Sequence, residues 1–208
     1  MRSLLYASCY VYSPCGAGVT CEHSRWLRSS LKAGDAKIMR RYAARVCQQA
    51  SDSSLLNGFF GARGLLIPVP GSRPYRAGAV WAAQDLAVAL VNAGLANATW
   101  AGLHRVCAVR KSATAAPGAR PTVATHYQSF VIDAQVPSVD HVVLIDDVVT
   151  KGRTLLAAAM RVQEAFPHAN IRAFALLRTM GLVHGVTQLL EPCAGEIRWK
   201  AGDAHRTP

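Results

Sequence analysis

The stretch VVLIDDVVTKGRT, at residues 142–154, constrains the fold more than any other part of the chain. Its four leading apolar residues are typical of a strand that is buried on both faces, as strands of parallel sheets are. Two carboxylates, Asp146 and Asp147, follow directly. A short loop of Thr, Lys, Gly, Arg and Thr then leads into a predicted helix at about residues 154–166. A strand, a loop and a helix in this order predict an α/β protein.

Strand and helix patterns alternate on both sides of this stretch. A short apolar strand is predicted at residues 65–69, a helix at about residues 78–92, and another buried strand at residues 171–177. Repeated strand–helix–strand units favour a parallel, Rossmann-like sheet with helices on both faces. We therefore predict a core domain over residues 61–208 and a small helical extension over residues 1–60 that packs on it.

The helical extension is predicted to contain a break. The stretch HSRWLRSSLKAGDAKIMRRYAARVCQQA has a helical pattern that is interrupted at Gly34 and Asp35. Aspartate is a favoured N-cap residue because its carboxylate accepts hydrogen bonds from the first free N–H groups of a helix. Asp35 is therefore predicted to begin the second helix.

Composition and charge limit the functions that this chain can have. Hydrophobic residues make up 51% of the 208 residues, which supports a packed core and argues against global disorder. The formal net charge of +11 favours anionic partners, namely phosphorylated metabolites, nucleic acid or acidic surfaces. No apolar run is long enough to predict a signal peptide or a membrane span, so we expect a cytoplasmic protein without a membrane partner.

The sequence has six cysteines, and no two of them form a CxxC pair. A zinc site built from Cys9, Cys15, Cys21 and His23 is one alternative, but structural zinc ligands usually come in closer pairs. Ordinary reduced thiols are the favoured interpretation.

The loop at residues 150–154 has the composition of an anion-binding site. A helix N-terminus has unpaired N–H groups and a positive partial charge, Thr150 and Thr154 add hydroxyls, and Gly152 allows the backbone to close around a tetrahedral anion. It is not a Walker P-loop, which requires G-x-x-x-x-G-K-[ST]. A bound sugar phosphate would turn its hydroxyls, or the waters of a divalent metal, toward Asp146 and Asp147. The alternative is that both acids only cap the helix and stabilise the turn.

These residues resemble a known family. VVLIDDVVTKGRT resembles the phosphoribosyl pyrophosphate (PRPP) motif of type I phosphoribosyltransferases, and the nearer resemblance is to the competence protein F group, which is amidophosphoribosyltransferase-like. LKAGDAKIMRRYAARV is similar to the N-terminal helix of that group, and LIPVPGSRPYRAGAVWAAQDLAVAL to its Pro-Val-Pro strand and loop. The resemblance covers about residues 31–178. It implies the type I phosphoribosyltransferase form of the Rossmann-like sheet, with a mobile hood loop.

The resemblance also implies roles for individual residues. Asp146 and Asp147 would bind the ribose hydroxyls of PRPP, partly through Mg²⁺ and its waters, and would act in catalysis with Arg73 and Lys111, which stabilise the leaving pyrophosphate. The residues that would hold the 5-phosphate are Thr150, Lys151, Gly152, Arg153 and Thr154. The residues that would bind the pyrophosphate are Gly71, Ser72 and Arg73, together with Arg110 or Lys111 from a hood at residues 105–120.

The chain departs from the family pattern at two positions of the phosphate loop. The family usually has Thr-Thr-Gly-Ala-Thr there, and in this chain Lys151 and Arg153 replace small residues. Both side chains either strengthen phosphate binding or point to solvent.

Substrate contact is an alternative role for several other side chains. For His104, His126 and His141, near the predicted sheet ends, a surface or structural role is favoured over contact with substrate. Tyr127 and Phe130 follow the hood, and stacking on an acceptor base is an alternative to a structural role for each of them.

Three functions remain open at this point. The first is a Mg²⁺-dependent enzyme that transfers phosphoribosyl from PRPP to a nitrogen nucleophile with release of pyrophosphate. The second is a non-catalytic regulatory module that binds PRPP or nucleotides, and the third is a competence-type accessory protein that handles DNA. The sequence leaves open the acceptor, the general base and whether the chain forms a homodimer.

Overall fold

A computed structural model describes residues 1–52, 54–61, 63–110, 120–135, 137–180 and 185–208. The strands in these ranges are β1 (Ser3–Tyr12), β2 (Leu65–Pro68), β3 (Ala98–Thr99), β4 (Leu103–Arg105), β5 (Phe130–Ile132), β6 (His141–Val149), β7 (Asn170–Thr179), β8 (Leu190–Lys200) and β9 (Asp203–Thr207). The helices are α1 (Val19–Lys32), α2 (Ala36–Asp52), α3 (Ala82–Asn92), α4 (Val123–Gln128) and α5 (Arg153–Ala165).

The main sheet has seven strands in the order β3-β2-β6-β7-β1-β8-β9. Strands β3, β2, β6, β7 and β1 run parallel, whereas β8 is antiparallel to both β1 and β9. The predicted α/β class with a mostly parallel sheet is therefore confirmed. From β2 the chain passes through α3 to β3, which lies on one side of the β2–β6 pair. From β6 it passes through α5 to β7, which lies on the opposite side of that pair. The strand order thus reverses between β2 and β6.

Strand β6 is buried on both faces because helices cover both sides of the sheet. Alternate β6 side chains face two separate cores. Val142 and Leu144 pack on the side of α5, and Val143 and Ile145 pack on the side of α1, α2 and α3. This arrangement explains why the β6 sequence is continuously apolar rather than alternating.

Strand β6 is longer than the predicted apolar run. It continues through Val149, so Asp146 and Asp147 lie within the strand rather than in a loop after it. The extra residues pair with β7, where Asp146 is opposite Ala175. On the other side β2 ends at Pro68, which is opposite Ile145. The carboxylates therefore lie where β6 extends beyond its shorter neighbour.

The N-terminal segment differs from the predicted helical extension. Helices α1 and α2 form with a break at Gly34 and Asp35, and Asp35 Oδ1 accepts hydrogen bonds from the backbone N–H groups of Lys37 and Ile38 at 3.0 Å. Residues before α1, however, form β1, which lies inside the main sheet between β7 and β8. Burial on both faces hides the alternation that would have marked this strand. The division into two domains at residue 60 stays a prediction.

The loop after β2 is longer than predicted, because α3 begins at Ala82 rather than near residue 78. Trp81 Nε1 donates to Val69 O at 3.0 Å and holds the end of this loop against the strand. On the two sides of the predicted hood, β4 pairs antiparallel with β5, and Thr122 caps α4 by accepting from the Thr125 N–H group at 3.1 Å. Among the helices in the described ranges, none combines the length and apolar character needed to cross a membrane.

Candidate functional site

The predicted site lies at the reversal of strand order, where β2 and β6 end. The Val69 N–H group donates to Ile145 O at 2.8 Å, and beyond this bond the two segments of the chain separate. The first segment continues as the loop at residues 70–81, and the second as the end of β6 and the loop at residues 150–152. In open α/β sheets, ligands bind in the crevice at such a reversal point.

The two carboxylates form a coupled pair at this crevice. The Asp147 N–H group donates to Asp146 Oδ1 at 2.9 Å. Burial, followed by the nearby Asp147 carboxylate, raises the pKa of Asp146 well above its usual value. Asp147 is buried, and Lys32 Nζ at the end of α1 lies 2.5 Å from its Oδ2 atom. Lys32 is thus a site residue that sequence reasoning missed, because no local spacing relates it to Asp147.

The loop at residues 150–152 retains free backbone donors. In the part of the chain that the structure describes, the N–H groups of Thr150, Lys151 and Gly152 donate to no acceptor. Gly152 is the N-cap of α5 and has a φ of +84°. A Cβ atom at this position would lie 2.6 Å from Ile197 Cδ1. Glycine is therefore required here for its backbone conformation and for packing, and the exposed amides beside it suit an anion.

The two basic side chains of the predicted phosphate loop point toward β9. Arg153 Nε and Nη2 each lie 2.5 Å from a carboxylate oxygen of Asp203, and Lys151 Nζ lies 3.9 Å from the same group. Hydrogen bonding from Arg153 is the main cause that lowers the pKa of Asp203. The guanidinium of Arg153 is therefore engaged by the protein, and only its backbone remains for the predicted phosphate contact. Asp203 had no sequence signal, since it is close to Arg153 only in the folded chain.

The predicted pyrophosphate loop is open to solvent. Gly71 and Arg73 are exposed, and a Cβ atom added at Gly71 would have no atom within 4 Å. Ser72 O accepts from the Val109 N–H group at 2.8 Å, which brings the start of the hood to this loop. The next residue, Arg110, is exposed. Lys111, the other predicted hood cation, lies outside the described residues.

A buried cluster connects the two loops of the site. Arg105, which is only 4% exposed, donates to Gly71 O from Nε and to Ser129 Oγ from Nη1. Its Nη2 atom lies 3.4 Å from His126 Nδ1, and His126 Nε2 lies 3.4 Å from Thr154 Oγ1. The structural role favoured for His126 thus takes the form of a contact with both Arg105 and Thr154.

The two aromatic residues weighed as base-stacking groups are engaged elsewhere. The Phe130 ring is buried beneath the Arg105 guanidinium, whose central carbon lies 4.2 Å from the ring centroid. The Tyr127 hydroxyl donates to Glu164, and the Arg161 guanidinium lies 4.0 Å from the centroid of the Tyr127 ring. Each ring thus already has an arginine of the protein stacked against it.

The described residues hold no group of three or more His, Cys, Asp and Glu side chains that could bind a metal. Cys9, Cys15, Cys21 and His23, the zinc alternative, therefore do not form such a group. Asp146 and Asp147 are a pair and have no third side chain of this kind beside them in the described ranges. Two carboxylates alone still fit Mg²⁺, because this ion commonly binds through one or two carboxylates and takes its other ligands from water and substrate phosphates.

Comparison with protein-family models gave no match, and no curated protein matches the sequence. The function of this site must therefore be inferred from its own residues.

Proposed function

We propose that the chain has a type I phosphoribosyltransferase-like fold, binds PRPP at the end of β6, and transfers its phosphoribosyl group to a nitrogen nucleophile. One observation carries the proposal. The acidic pair and a loop of free amides lie on a single strand–loop–helix unit, at the reversal of strand order in a mostly parallel sheet. An amide loop at a helix N-terminus suits a phosphate, and carboxylates suit sugar hydroxyls.

The order of these groups along the chain matches the order of groups in a sugar phosphate. The free N–H groups of Thr150, Lys151 and Gly152 would donate to the 5-phosphate. Asp146 and Asp147, a few residues upstream, would accept hydrogen bonds from the ribose hydroxyls. Because Asp147 is buried and already ion-paired, it is held in one position before the substrate arrives.

The loop after β2 supplies the other half of the site. Loss of pyrophosphate from the anomeric carbon leaves an oxocarbenium-like sugar and a leaving group with increasing negative charge. Arg73 is exposed and has no carboxylate within ion-pair distance in the described ranges, so its charge is available to the leaving group. Arg110 and Lys111 would approach the pyrophosphate from the hood, which would also exclude water. Bound Mg²⁺ would neutralise part of the charge on the pyrophosphate oxygens.

The ion pair between Lys32 and Asp147 favours a second candidate, which is PRPP binding without turnover. The ammonium group lies 2.5 Å from the Asp147 carboxylate and already supplies a positive charge beside it, as a metal ion would. In this case the chain would be a regulatory module that senses PRPP or nucleotides.

The experiment that tests both candidates measures binding and turnover separately. We would titrate PRPP into the protein with and without Mg²⁺ by calorimetry, and assay pyrophosphate release with a panel of nucleobases and amines. Mg²⁺-dependent binding with pyrophosphate release is the expected outcome. Binding without release from any acceptor supports the regulatory module, and no binding of PRPP contradicts both candidates.

Asp147→Asn is the matched test of the ribose assignment. It removes the carboxylate charge but keeps the size of the side chain, so we expect roughly a 100-fold loss of PRPP-dependent activity with the fold intact. Asp140→Asn, at an exposed acid just before β6, is the control and should leave activity unchanged. Circular dichroism reports the fold and pyrophosphate release reports activity. Full activity of Asp147→Asn would remove Asp147 from the site.

A further inference from the structure

Arg105 is a buried cation with no carboxylate in direct contact among the described residues. In the described ranges no carboxylate lies within 4.0 Å of its guanidinium, and its contacts are the neutral groups Gly71 O, Ser129 Oγ, His126 and the Phe130 ring. Burial lowers the pKa of Arg105 to about 10, and the charges of Cys107 and Asp146 oppose this shift only in part. Burying a charge without a direct ion pair is unfavourable, so a residue of this kind is expected to have a function beyond packing.

The contact between Arg105 and His126 determines which ring nitrogen carries the proton. A guanidinium can only donate, so His126 Nδ1, which lies 3.4 Å from Arg105 Nη2, must be the acceptor and carry no proton. Burial, and then the charges of Arg105 and Arg153, lowers the pKa of His126 to about 4, so the ring is neutral at pH 7. A neutral imidazole has one N–H proton, and because Nδ1 does not carry this proton, Nε2 does.

The proton on Nε2 in turn orients the hydroxyl of Thr154. His126 Nε2 lies 3.4 Å from Thr154 Oγ1, so the ring donates and the hydroxyl oxygen accepts. The hydroxyl proton of Thr154 then has no acceptor among the described residues. It remains to be donated to a ligand at the start of α5, beside the free N–H groups of the preceding loop.

We propose that Arg105 and His126 are positioning residues that set the Thr154 hydroxyl as a hydrogen-bond donor to an oxyanion held by residues 150–154. The inference rests on the proposed function, in which this oxyanion is the 5-phosphate of PRPP. Because Arg105 also binds Gly71 O, the same side chain holds the loop after β2 in register with the phosphate loop. One buried guanidinium therefore links the two halves of the site.

The first test needs no ligand. Nitrogen-15 NMR of the histidine rings in the wild-type protein at pH 7 should show His126 neutral, with its proton on Nε2. We expect the signal of Nδ1 to change in Arg105→Gln, while the signals of the half-buried His104, which contacts Asp133, stay unchanged. A ring with its proton on Nδ1 could not accept from Arg105 and would leave Nε2 to accept from Thr154, and this result would overturn the inference.

The second test separates orientation of the hydroxyl from simple structural support. His126→Asn places an amide oxygen near the position of Nδ1, where Arg105 can still donate, but leaves nothing to donate to Thr154. His126→Gln instead reaches the position of Nε2 with an N–H group. We expect His126→Asn to weaken ribose 5-phosphate binding about tenfold, as for one charge-assisted hydrogen bond, and His126→Gln to retain most of the affinity.

A double-mutant cycle completes this test. Thr154→Val should also weaken ribose 5-phosphate binding about tenfold, and His126→Asn combined with Thr154→Val should lose no more than either single variant. Additive losses would overturn the inference and leave the proposed function standing. Wild-type protein that binds neither ribose 5-phosphate nor PRPP would overturn both. Thermal melting of each variant shows whether the fold is retained, and the NMR test decides the inference if a variant does not fold.

Discussion

The two loops at the candidate site are held in opposite ways. The loop after β6 is fixed at three successive residues: Gly152 packs against Ile197, Arg153 binds Asp203, and Thr154 contacts His126. In the loop after β2, by contrast, residues 73–80 are all exposed. One loop is thus held by the fold at successive residues, whereas the other is held at Gly71, Ser72 and Trp81 and is exposed between these points.

This difference has a physical meaning for binding. A preformed loop has already lost its conformational freedom, so its contacts contribute to affinity without a further ordering cost. An exposed loop loses that freedom when the ligand binds, but it can also close over the ligand and exclude water. We expect substitutions in the loop after β6 to lower both stability and binding, and substitutions in the loop after β2 to lower binding alone.

The largest expected effect is that of Gly152→Ala. The residue has a φ of +84°, and the new Cβ atom would lie 2.6 Å from Ile197 Cδ1. Backbone strain and overpacking together should lower the free energy of unfolding by about 2–5 kcal/mol. Urea denaturation measures this change.

Gly71→Ala is the matched control, because it makes the same substitution in the other loop. A Cβ atom at Gly71 has no atom within 4 Å, so the free energy of unfolding should change by less than about 0.5 kcal/mol. Equal effects of the two alanines on stability would contradict the contrast between the loops.

Asp203→Asn should have an intermediate effect. It breaks the two hydrogen bonds from Arg153, and since both side chains are partly exposed we expect a loss of only about 1 kcal/mol at pH 7. The pKa of Asp203 is lowered in the folded protein, mainly by Arg153. Its stabilising effect is therefore complete above its unfolded pKa of about 4 and disappears as the pH falls through the lower, folded value.

The stability gap between wild type and Asp203→Asn should consequently narrow below about pH 4. Urea denaturation at a series of pH values measures the gap. Asp133 is an exposed residue that pairs with His104, and Asp133→Asn is the control for effects of low pH that do not depend on Asp203. A gap that is independent of pH would show that Arg153 does not hold Asp203 by its charge.

The smallest effect on stability is expected for Arg73→Ala. The side chain is exposed, so the free energy of unfolding should stay within about 0.5 kcal/mol of the wild-type value. PRPP affinity, measured by calorimetry, should fall about tenfold if Arg73 binds the pyrophosphate. Arg76→Ala removes the same charge from the same exposed loop and should change affinity much less. Equal losses would indicate general attraction of anions rather than a specific contact.

Much of the site could be predicted because its residues are neighbours in the sequence. Asp146, Asp147 and Gly152 belong to one strand–loop–helix unit, and the apolar run, the helix start and the glycine are local signals. The length of β6 could not be predicted in the same way. Whether Asp146 belongs to a strand depends on β7 continuing beside it and on β2 ending at Pro68, and neither follows from the residues around Asp146.

The amino-acid sequence by itself determined the α/β class, the position of the acidic pair before a loop of Thr and Gly, and the helix break at Asp35. These follow from hydrophobic periodicity and backbone preferences, which act over a few residues. Only the tertiary structure decided that Lys32 binds Asp147, that Asp203 holds Arg153, and that Arg105 joins Gly71 to His126. Contacts of this kind depend on how strands and helices pack in space, and packing brings together residues that share no local pattern.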